Sequence, residues 1–171
     1  MGTRLRVVLT TWLAVVSVAT AAVPGKPETL QWLDLLSDAE RALGPPPPLP
    51  ANHNFLDEAP GQAQAQQLSF TPNPALEGRL MRLPGYIVPI SQDAQGRVTE
   101  FFLVPYFGAC IHLPPPPPNQ VVYAVAAQPF ALKSLTTPYW VAGVLQLGSK
   151  TTRLGAAAYT VRSGSVEPYR N

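Results

Sequence analysis

The residues best suited to chemistry lie in one short segment, residues 105–120, which reads PYFGACIHLPPPPPNQ. Cys110 and His112 are two positions apart, so an extended backbone over 107–113 would point both side chains to one face, with Cα atoms roughly 6.6 Å apart. A thiolate and an imidazole at that spacing can share one metal ion, and this ligand pair favours zinc or copper(I). The segment therefore predicts a transition-metal site at Cys110 and His112.

The sequence does not identify the remaining ligands of such a metal site. A transition metal needs at least a third ligand. His53 is the only other histidine of the chain. The candidate carboxylates are Asp57, Glu58, Glu100 and Glu167. Water or a second chain could also complete the set, so the metal prediction rests on Cys110 and His112 alone.

Two other interpretations of the pair stay open. In the first, Cys110 is a small buried apolar residue and His112 an ordinary polar one, because free cysteines are usually buried. In the second, Cys110 is a nucleophile and His112 its base. The catalytic interpretation is the weaker of the two, since no orienting third residue or oxyanion-stabilising group is evident. We therefore expect no enzymatic activity.

A run of five prolines follows the pair and predicts a stiff extended segment of roughly 15 Å. The five are Pro114, Pro115, Pro116, Pro117 and Pro118. Because proline has no backbone N–H, the run cannot lie inside a sheet and must cross a surface or an opening. Asn119 and Gln120 end it with two amides, which can orient a ligand or cap the next strand.

The proline run itself has two interpretations. It could be the ligand of an aromatic-lined groove on a partner protein. It could instead shape a loop of this chain, with proline rings stacked on nearby aromatic side chains. The candidate rings are those of Tyr86, Tyr106, Tyr123 and Trp140. We favour the second interpretation.

Composition narrows the chemistry further. Cys110 is the only cysteine, which excludes an intramolecular disulfide and a metal site made of cysteines alone. The sequence lacks the glycine-rich phosphate and dinucleotide motifs, the H-E-x-x-H and C-x-x-C motifs and the G-x-S-x-G motif. Nucleotide, nicotinamide and protease functions therefore lose most of their support.

The N-terminus predicts export. Arg4 and Arg6 form a basic start. Residues 7–18 are mostly apolar, and 19–21 carry the small residues that a signal peptidase reads, so we expect a signal peptide over 1–21. Without the leader the chain has as many acidic as basic side chains, and it shows no basic face for a nucleic acid. The mature protein is expected to be periplasmic or secreted, with the membrane only an export route.

Two segments precede the main domain. Leucines at helical spacing over 28–43, followed by Gly-Pro, predict a short amphipathic helix. Residues 44–75 are rich in proline, glutamine and alanine without a period that buries anything, and we expect a linker or a surface arm. The mature chain therefore divides into helix and linker over 22–75 and a β domain over 76–171.

From residue 76 onward, short strand patterns alternate with turn residues. The predicted strands are 79–90, 98–107, 120–127, 138–147, 154–162 and 166–169. Turns are predicted at 92–97 and at Gly148-Ser149. This pattern predicts a mainly β fold, a small antiparallel barrel or sandwich. A strand with Gly143 at its middle resembles the bent strand of an oligonucleotide/oligosaccharide-binding barrel.

The runs GYIVPI at 85–90 and FFLVPYFGACIHLPPPPPNQVVY at 101–123 resemble an exported bacterial family known as domain of unknown function 3299. The resemblance covers residues 76–169, together with the W-x-D-L-L at 32–36. The motif residues of the family correspond, position by position, to a set of residues in this chain. These are Tyr106, Cys110, His112, Pro114, Pro115, Pro116, Pro117, Pro118, Asn119 and Gln120.

The resemblance also implies a cellular location and a class of partner. Family members are secreted or lipoprotein-like, and many are encoded beside ABC transporter permeases that act on periplasmic cargo, some beside histidine-rich zinc-binding proteins. This implies a periplasmic accessory protein whose partner is an ABC transporter permease or a metal-binding periplasmic protein. The chain lacks the leader cysteine of lipoprotein-like members, so we expect it to be soluble in the periplasm and not tethered.

Together these observations predict a non-enzymatic periplasmic binding or accessory protein that holds zinc or copper through Cys110 and His112. One alternative is a protein-interaction module in which Cys110 is structural. A cysteine-dependent enzyme is the least favoured alternative.

Overall fold

The computed structural model describes residues 25–42, 66, 70–109 and 115–170. The strands over these ranges are β1 (Glu28–Thr29), β2 (Leu80–Gln92), β3 (Val98–Val104), β4 (Val122–Phe130), β5 (Tyr139–Thr152) and β6 (Gly155–Pro168). The helical segments are α1 (Asp38–Ala42) and the 3-10 turns Trp32–Leu35, Pro74–Leu76 and Pro118–Gln120. No helix within these ranges is long and apolar enough to cross a membrane.

Five of the strands close into a barrel. The strand order is β1-β2-β3-β4-β6-β5, and β5 pairs again with β2 to complete the circle. Within the barrel β4 and β6 are parallel and the other pairs are antiparallel. This arrangement is that of an oligonucleotide/oligosaccharide-binding barrel, so the prediction of a small, mainly antiparallel barrel is confirmed.

Two apolar layers hold the barrel together. The interior contains Met81, Leu83 and Phe101, each with no exposed surface. A second cluster lies on the opposite face of β2, β3 and β4, and we call it the outer-face cluster. Its buried members are Val88, Phe102, Val104, Ala109, Val121, Tyr123 and Ala157. Because successive side chains of a strand point to opposite faces, β3 contributes to both layers.

Two glycines allow backbones to approach closely where β2 and β5 change their pairing. β2 exchanges its partner β5 for β3 at Gly85, where a Cβ atom would lie 2.7 Å from the carbonyl oxygen of Val104. Gly143 sits at a register shift of β5, where a Cβ atom would lie 2.5 Å from the carbonyl oxygen of Arg162. Neither space admits a side chain, and Gly143 stands at an irregularity of its strand, as a glycine inside a strand often does.

The predicted helix over 28–43 is wrong as a single element. Residues 28–29 instead form β1 alongside β2, a 3-10 turn follows, and the α-helix has only five residues. Contact with the barrel overrides the leucine period: Trp32 donates its indole N–H to the carbonyl oxygen of Pro84 at 2.7 Å, and Leu35 is fully buried. Leu33, on the predicted apolar stripe, is 50% exposed.

The C-terminal strands are longer than the sequence pattern indicated. The turn predicted at Gly148-Ser149 lies inside β5, at a register shift between Leu147 and Lys150, and the two last predicted strands form one strand, β6. Continuous pairing of β5 with β6 explains both differences. The predicted signal peptide over 1–21 and most of the 44–75 linker lie outside the described residues.

Candidate functional site

The structure describes both ends of the candidate segment but not its centre. Cys110, His112 and Pro114 lie outside the described residues, as does His53. An extended backbone over 107–113, the condition for placing Cys110 and His112 on one face, is not met at its start, because Phe107 and Gly108 form a turn in which Gly108 has a φ of 85°. This turn directs the chain back onto the barrel at Ala109.

Ala109 fixes the first end of the segment. It has no exposed surface and belongs to the outer-face cluster, where Phe102 and Val104 of β3 are equally buried. Tyr106 also packs against this cluster. The residue that precedes Cys110 is therefore held on the outer face of β2, β3 and β4.

An aromatic surface lies beside this end. Phe107 is 48% exposed, and its ring centroid is 6.1 Å from that of Tyr86, with the rings tilted by 58°. Large apolar side chains are costly to expose to water. The site therefore includes an exposed aromatic contact at Phe107, a residue that the sequence did not mark as functional.

Tyr123 on the outer face interacts with a carboxylate and with an ammonium group. The hydroxyl of Tyr123 donates to Glu100 Oε2 at 2.8 Å, and Lys150 Nζ lies 4.8 Å from the centroid of the same ring. Burial, together with the hydrogen bond to the Glu100 carboxylate and its negative charge, raises the pKa of Tyr123 to about 12. Tyr123 is thus a neutral donor that orients Glu100.

The two described carboxylates among the candidate ligands lie in different places. Glu100 pairs with Val125 across β3 and β4. Glu167 pairs with Trp140 near the end of β6, where it lines a separate cavity with Pro168 and Arg170. Within the described ranges, no group of three histidine, cysteine or acidic side chains is arranged to hold a metal.

The proline run ends in a tightly held backbone. Pro116 and Pro118 are buried, and Pro115 and Pro117 are half-buried. The side-chain amide of Gln66 donates to the carbonyl oxygens of Pro116, at 2.7 Å, and Ala156, at 2.8 Å, and its oxygen accepts from the Ala156 N–H at 2.7 Å. One glutamine therefore joins the proline run to the start of β6.

Asn119 and Gln120 face inward. Asn119 is 1% exposed, and its Nδ2 donates to Glu40 Oε2 at 2.7 Å and to the Thr71 carbonyl oxygen at 3.2 Å. Gln120 Nε2 donates to the carbonyl oxygen of Trp32 at 2.9 Å. Both amides thus tie the N-terminal segment to the barrel. Asn119 Oδ1 is buried and accepts no hydrogen bond from the residues that the structure describes.

The sequence did not indicate the role of Tyr159, which bonds to the same N-terminal segment that Asn119 and Gln120 hold. The hydroxyl of Tyr159 donates to the Leu35 carbonyl oxygen at 2.6 Å and accepts from the Asn73 N–H at 2.5 Å. Burial raises the pKa of Tyr159 to about 12; the hydrogen bond from Asn73 lowers it, and the charge of Glu40 raises it. No local sequence signal marks this role, because Tyr159 continues an ordinary strand pattern.

Comparison with known proteins gives the chain a family. The model of the family "Protein of unknown function (DUF3299)" matches residues 32–168. A DUF3299 family protein from Pseudomonas aeruginosa PAO1, known from a crystal structure, is 42% identical and superposes with a TM-score of 0.72. The match covers 86% of this chain and 99% of that chain. No curated protein matches. The chain belongs to the DUF3299 family.

Proposed function

We propose that this protein is an exported, non-enzymatic accessory protein that binds zinc or copper(I) through Cys110 and His112 and serves an ABC transporter permease or a metal-binding periplasmic protein. The observation that supports it is the fixation of the chain on both sides of the pair. Ala109 is fully buried before it, and Asn119 is 1% exposed after it.

Fixed ends favour metal binding for an entropic reason. Residues 110–114 join an alanine packed on the outer face to a proline run whose Pro116 carbonyl is bound by Gln66. A short segment held in this way loses less conformational freedom when it binds a ligand than a free loop does. The two fixed ends therefore lower the entropic cost of binding an ion between them.

Of the two described candidates, Glu100 is the one we propose as the third ligand. It is bound by Tyr123, a member of the same outer-face cluster that contains Ala109. Glu167, the other described candidate, pairs with Trp140 on another part of the barrel. A carboxylate oxygen is a regular third ligand for zinc beside nitrogen and sulfur.

Zinc titration of the reduced protein tests this proposal, using residues 22–171, which keep every described residue. We expect one zinc per chain, lost in Cys110→Ser and in His112→Ala. His53→Ala is the matched control, because it removes the other histidine. The absence of binding, or its loss in His53→Ala alone, would overturn the metal site.

A second pair of variants tests the third ligand. Glu100→Gln is expected to weaken zinc binding at least about tenfold, in the range found for altered metal-site partners. Glu167→Gln makes the same change elsewhere and is expected to leave the affinity unchanged. Equal affinities for the two variants would remove Glu100 from the site and leave Cys110 and His112 in it.

A protein-interaction module is the second candidate function, and the exposed ring of Phe107 favours it. A half-exposed aromatic side chain is a suitable anchor for a partner protein. In that case Cys110 is structural. The expected result is then no zinc uptake, together with copurification with the permease that Phe107→Ala abolishes. A cysteine-dependent enzyme would instead require a Cys110 thiol that reacts faster than a free thiol at neutral pH.

A further inference from the structure

An apolar cavity of about 470 Å³ opens where three connections of the barrel meet. They are the β2–β3 hairpin, the connection from β4 to β5, and the turn from β5 to β6. The apolar lining residues are Val88, Pro89, Leu132, Leu135 and Leu154, and Gln92 adds one amide. Neither end of the Cys110–His112 segment lines it.

The size and the lining of the cavity correspond to a small-molecule site. Ligand cavities in proteins are mostly apolar, contain a few polar groups and measure about 300–1,000 Å³. Leu135 is 44% exposed at this cavity, so an apolar group placed here would cover surface that now contacts water. None of the described lining residues is aromatic, which disfavours stacked bases or sugar rings as occupants.

The charges around the cavity have one predominant sign. Each of the three connections carries a cation next to a lining residue: Arg97 after Gly96, Lys133 after Leu132, and Arg153 before Leu154. Arg97 is neutralised by an ion pair with Asp93 at 2.7 Å. The exposed side chains of Lys133 and Arg153 have no ion-pair partner among the described residues.

We infer that this cavity binds a small amphiphilic anion, whose alkyl body contacts the leucines and whose acidic head lies toward Lys133 and Arg153. Apolar burial supplies the attraction, at about 25 cal/mol per Å² of covered surface. The two cations, each adjacent in sequence to a lining leucine, select the sign of the head group, because an opposite charge is favoured over a like charge. The Gln92 amide is available to the head group as a neutral hydrogen-bond donor.

Calorimetric titration with decanoate, below the concentration at which it forms micelles, tests this inference on residues 22–171. We expect one site per chain. Decyltrimethylammonium has the same alkyl chain with a positive head, and acetate has the same head without the chain. Both are expected to bind at least tenfold more weakly than decanoate. Absence of saturable decanoate binding, or equal binding of the two alkyl ions, would overturn the inference.

A matched pair of charge reversals locates the site. The double variant Lys133→Glu with Arg153→Glu is expected to weaken decanoate binding at least tenfold. Lys26→Glu with Arg162→Glu makes the same charge change at exposed positions elsewhere and is expected to change it less than twofold. Equal losses in the two double variants would overturn the placement of the site. Tighter binding of a short acidic peptide with a central leucine would also overturn it, because the cavity would then be a docking site for a protein.

Discussion

The two ends of the 105–120 segment differ in how their side chains are used. At the C-terminal end, Asn119 is 1% exposed and its amide nitrogen has two acceptors inside the protein. At the N-terminal end, Phe107 is 48% exposed and contacts one neighbouring ring. The C-terminal end therefore anchors the chain, and the N-terminal end exposes an aromatic side chain to solvent. The same family motif contains both, so resemblance alone cannot assign a role to each of its residues.

The largest effect is expected from removing the anchor amide. Asn119→Ala deletes the donor to Glu40 Oε2 and to the Thr71 carbonyl oxygen, and it leaves a partly buried carboxylate and a carbonyl without that partner. We expect a loss of about 3 kcal/mol in the free energy of unfolding, measured by urea denaturation. Gln95→Ala, an exposed amide in the β2–β3 turn, is the control. A loss below about 1 kcal/mol would mean that Asn119 is not the anchor.

Tyr159→Phe is expected to have the next largest effect, about 2 kcal/mol at pH 8, because Leu35 and Asn73 lose a buried partner. The exposed Tyr169→Phe serves as control and is expected to change stability by less than about 0.5 kcal/mol. An equal loss in both variants would contradict the anchor role of the Tyr159 hydroxyl.

Tyr159 also makes the stability of the protein depend on pH in the alkaline range. Burial raises its folded-state pKa to about 12, whereas an unfolded tyrosine titrates near 10. The folded protein therefore holds the proton more tightly, so stability is fully present below about pH 10 and is lost as the pH rises toward 12. Tyr159→Phe should show a shallower loss between pH 10 and 12, where Tyr123, whose pKa is also raised to about 12, still contributes. Identical slopes in the two proteins would contradict this account.

Gln66→Ala is expected to cost about 1.5 kcal/mol. Its amide makes three hydrogen bonds, to Pro116 and to both backbone groups of Ala156. All three partners are neutral backbone groups, whereas Asn119 bonds to the Glu40 carboxylate, and hydrogen bonds to charged groups contribute more. The exposed Gln146→Ala is the matched control. The same urea midpoint for both variants would show that Gln66 does not hold the proline run.

The smallest effect on stability is expected at the opposite end. Phe107→Ala removes a half-exposed ring, so we expect a change within about 0.5 kcal/mol in the free energy of unfolding. Such a variant keeps the fold while it removes the aromatic surface. A loss above about 1 kcal/mol would mean that Phe107 is a packing residue, and the difference between the two ends would disappear.

The sequence predicted the barrel well because its strands carry local signals. Val98–Val104 is rich in β-branched and aromatic residues, and the turn before it is closed by Asp93, whose carboxylate accepts from the N–H groups of Gln95 and Arg97. Gly143 marked an irregularity of β5 where the crowded backbone leaves no space for a side chain. Such features act within a few residues, which is the range that pattern reasoning covers.

The sequence predicted poorly wherever distant segments decide the outcome. Leucines at helical spacing suggested one helix over 28–43, but Leu30 and Leu35 are buried against the barrel while Leu33 is exposed. Asn119 bonds to Glu40 across 79 positions, and Gln66 bonds to Ala156 across 90. Neither partner can be recognised before the topology is known, so the anchoring role of the motif amides was not predictable.

The most direct test of the proposed function is the zinc X-ray absorption spectrum of the zinc-loaded, reduced protein. The account predicts one sulfur neighbour at about 2.3 Å together with nitrogen and oxygen neighbours at about 2.0–2.2 Å. The sulfur signal should be lost in Cys110→Ser and retained in His53→Ala. A first shell that contains only nitrogen and oxygen would contradict the assignment of Cys110 as a ligand and leave it a structural cysteine.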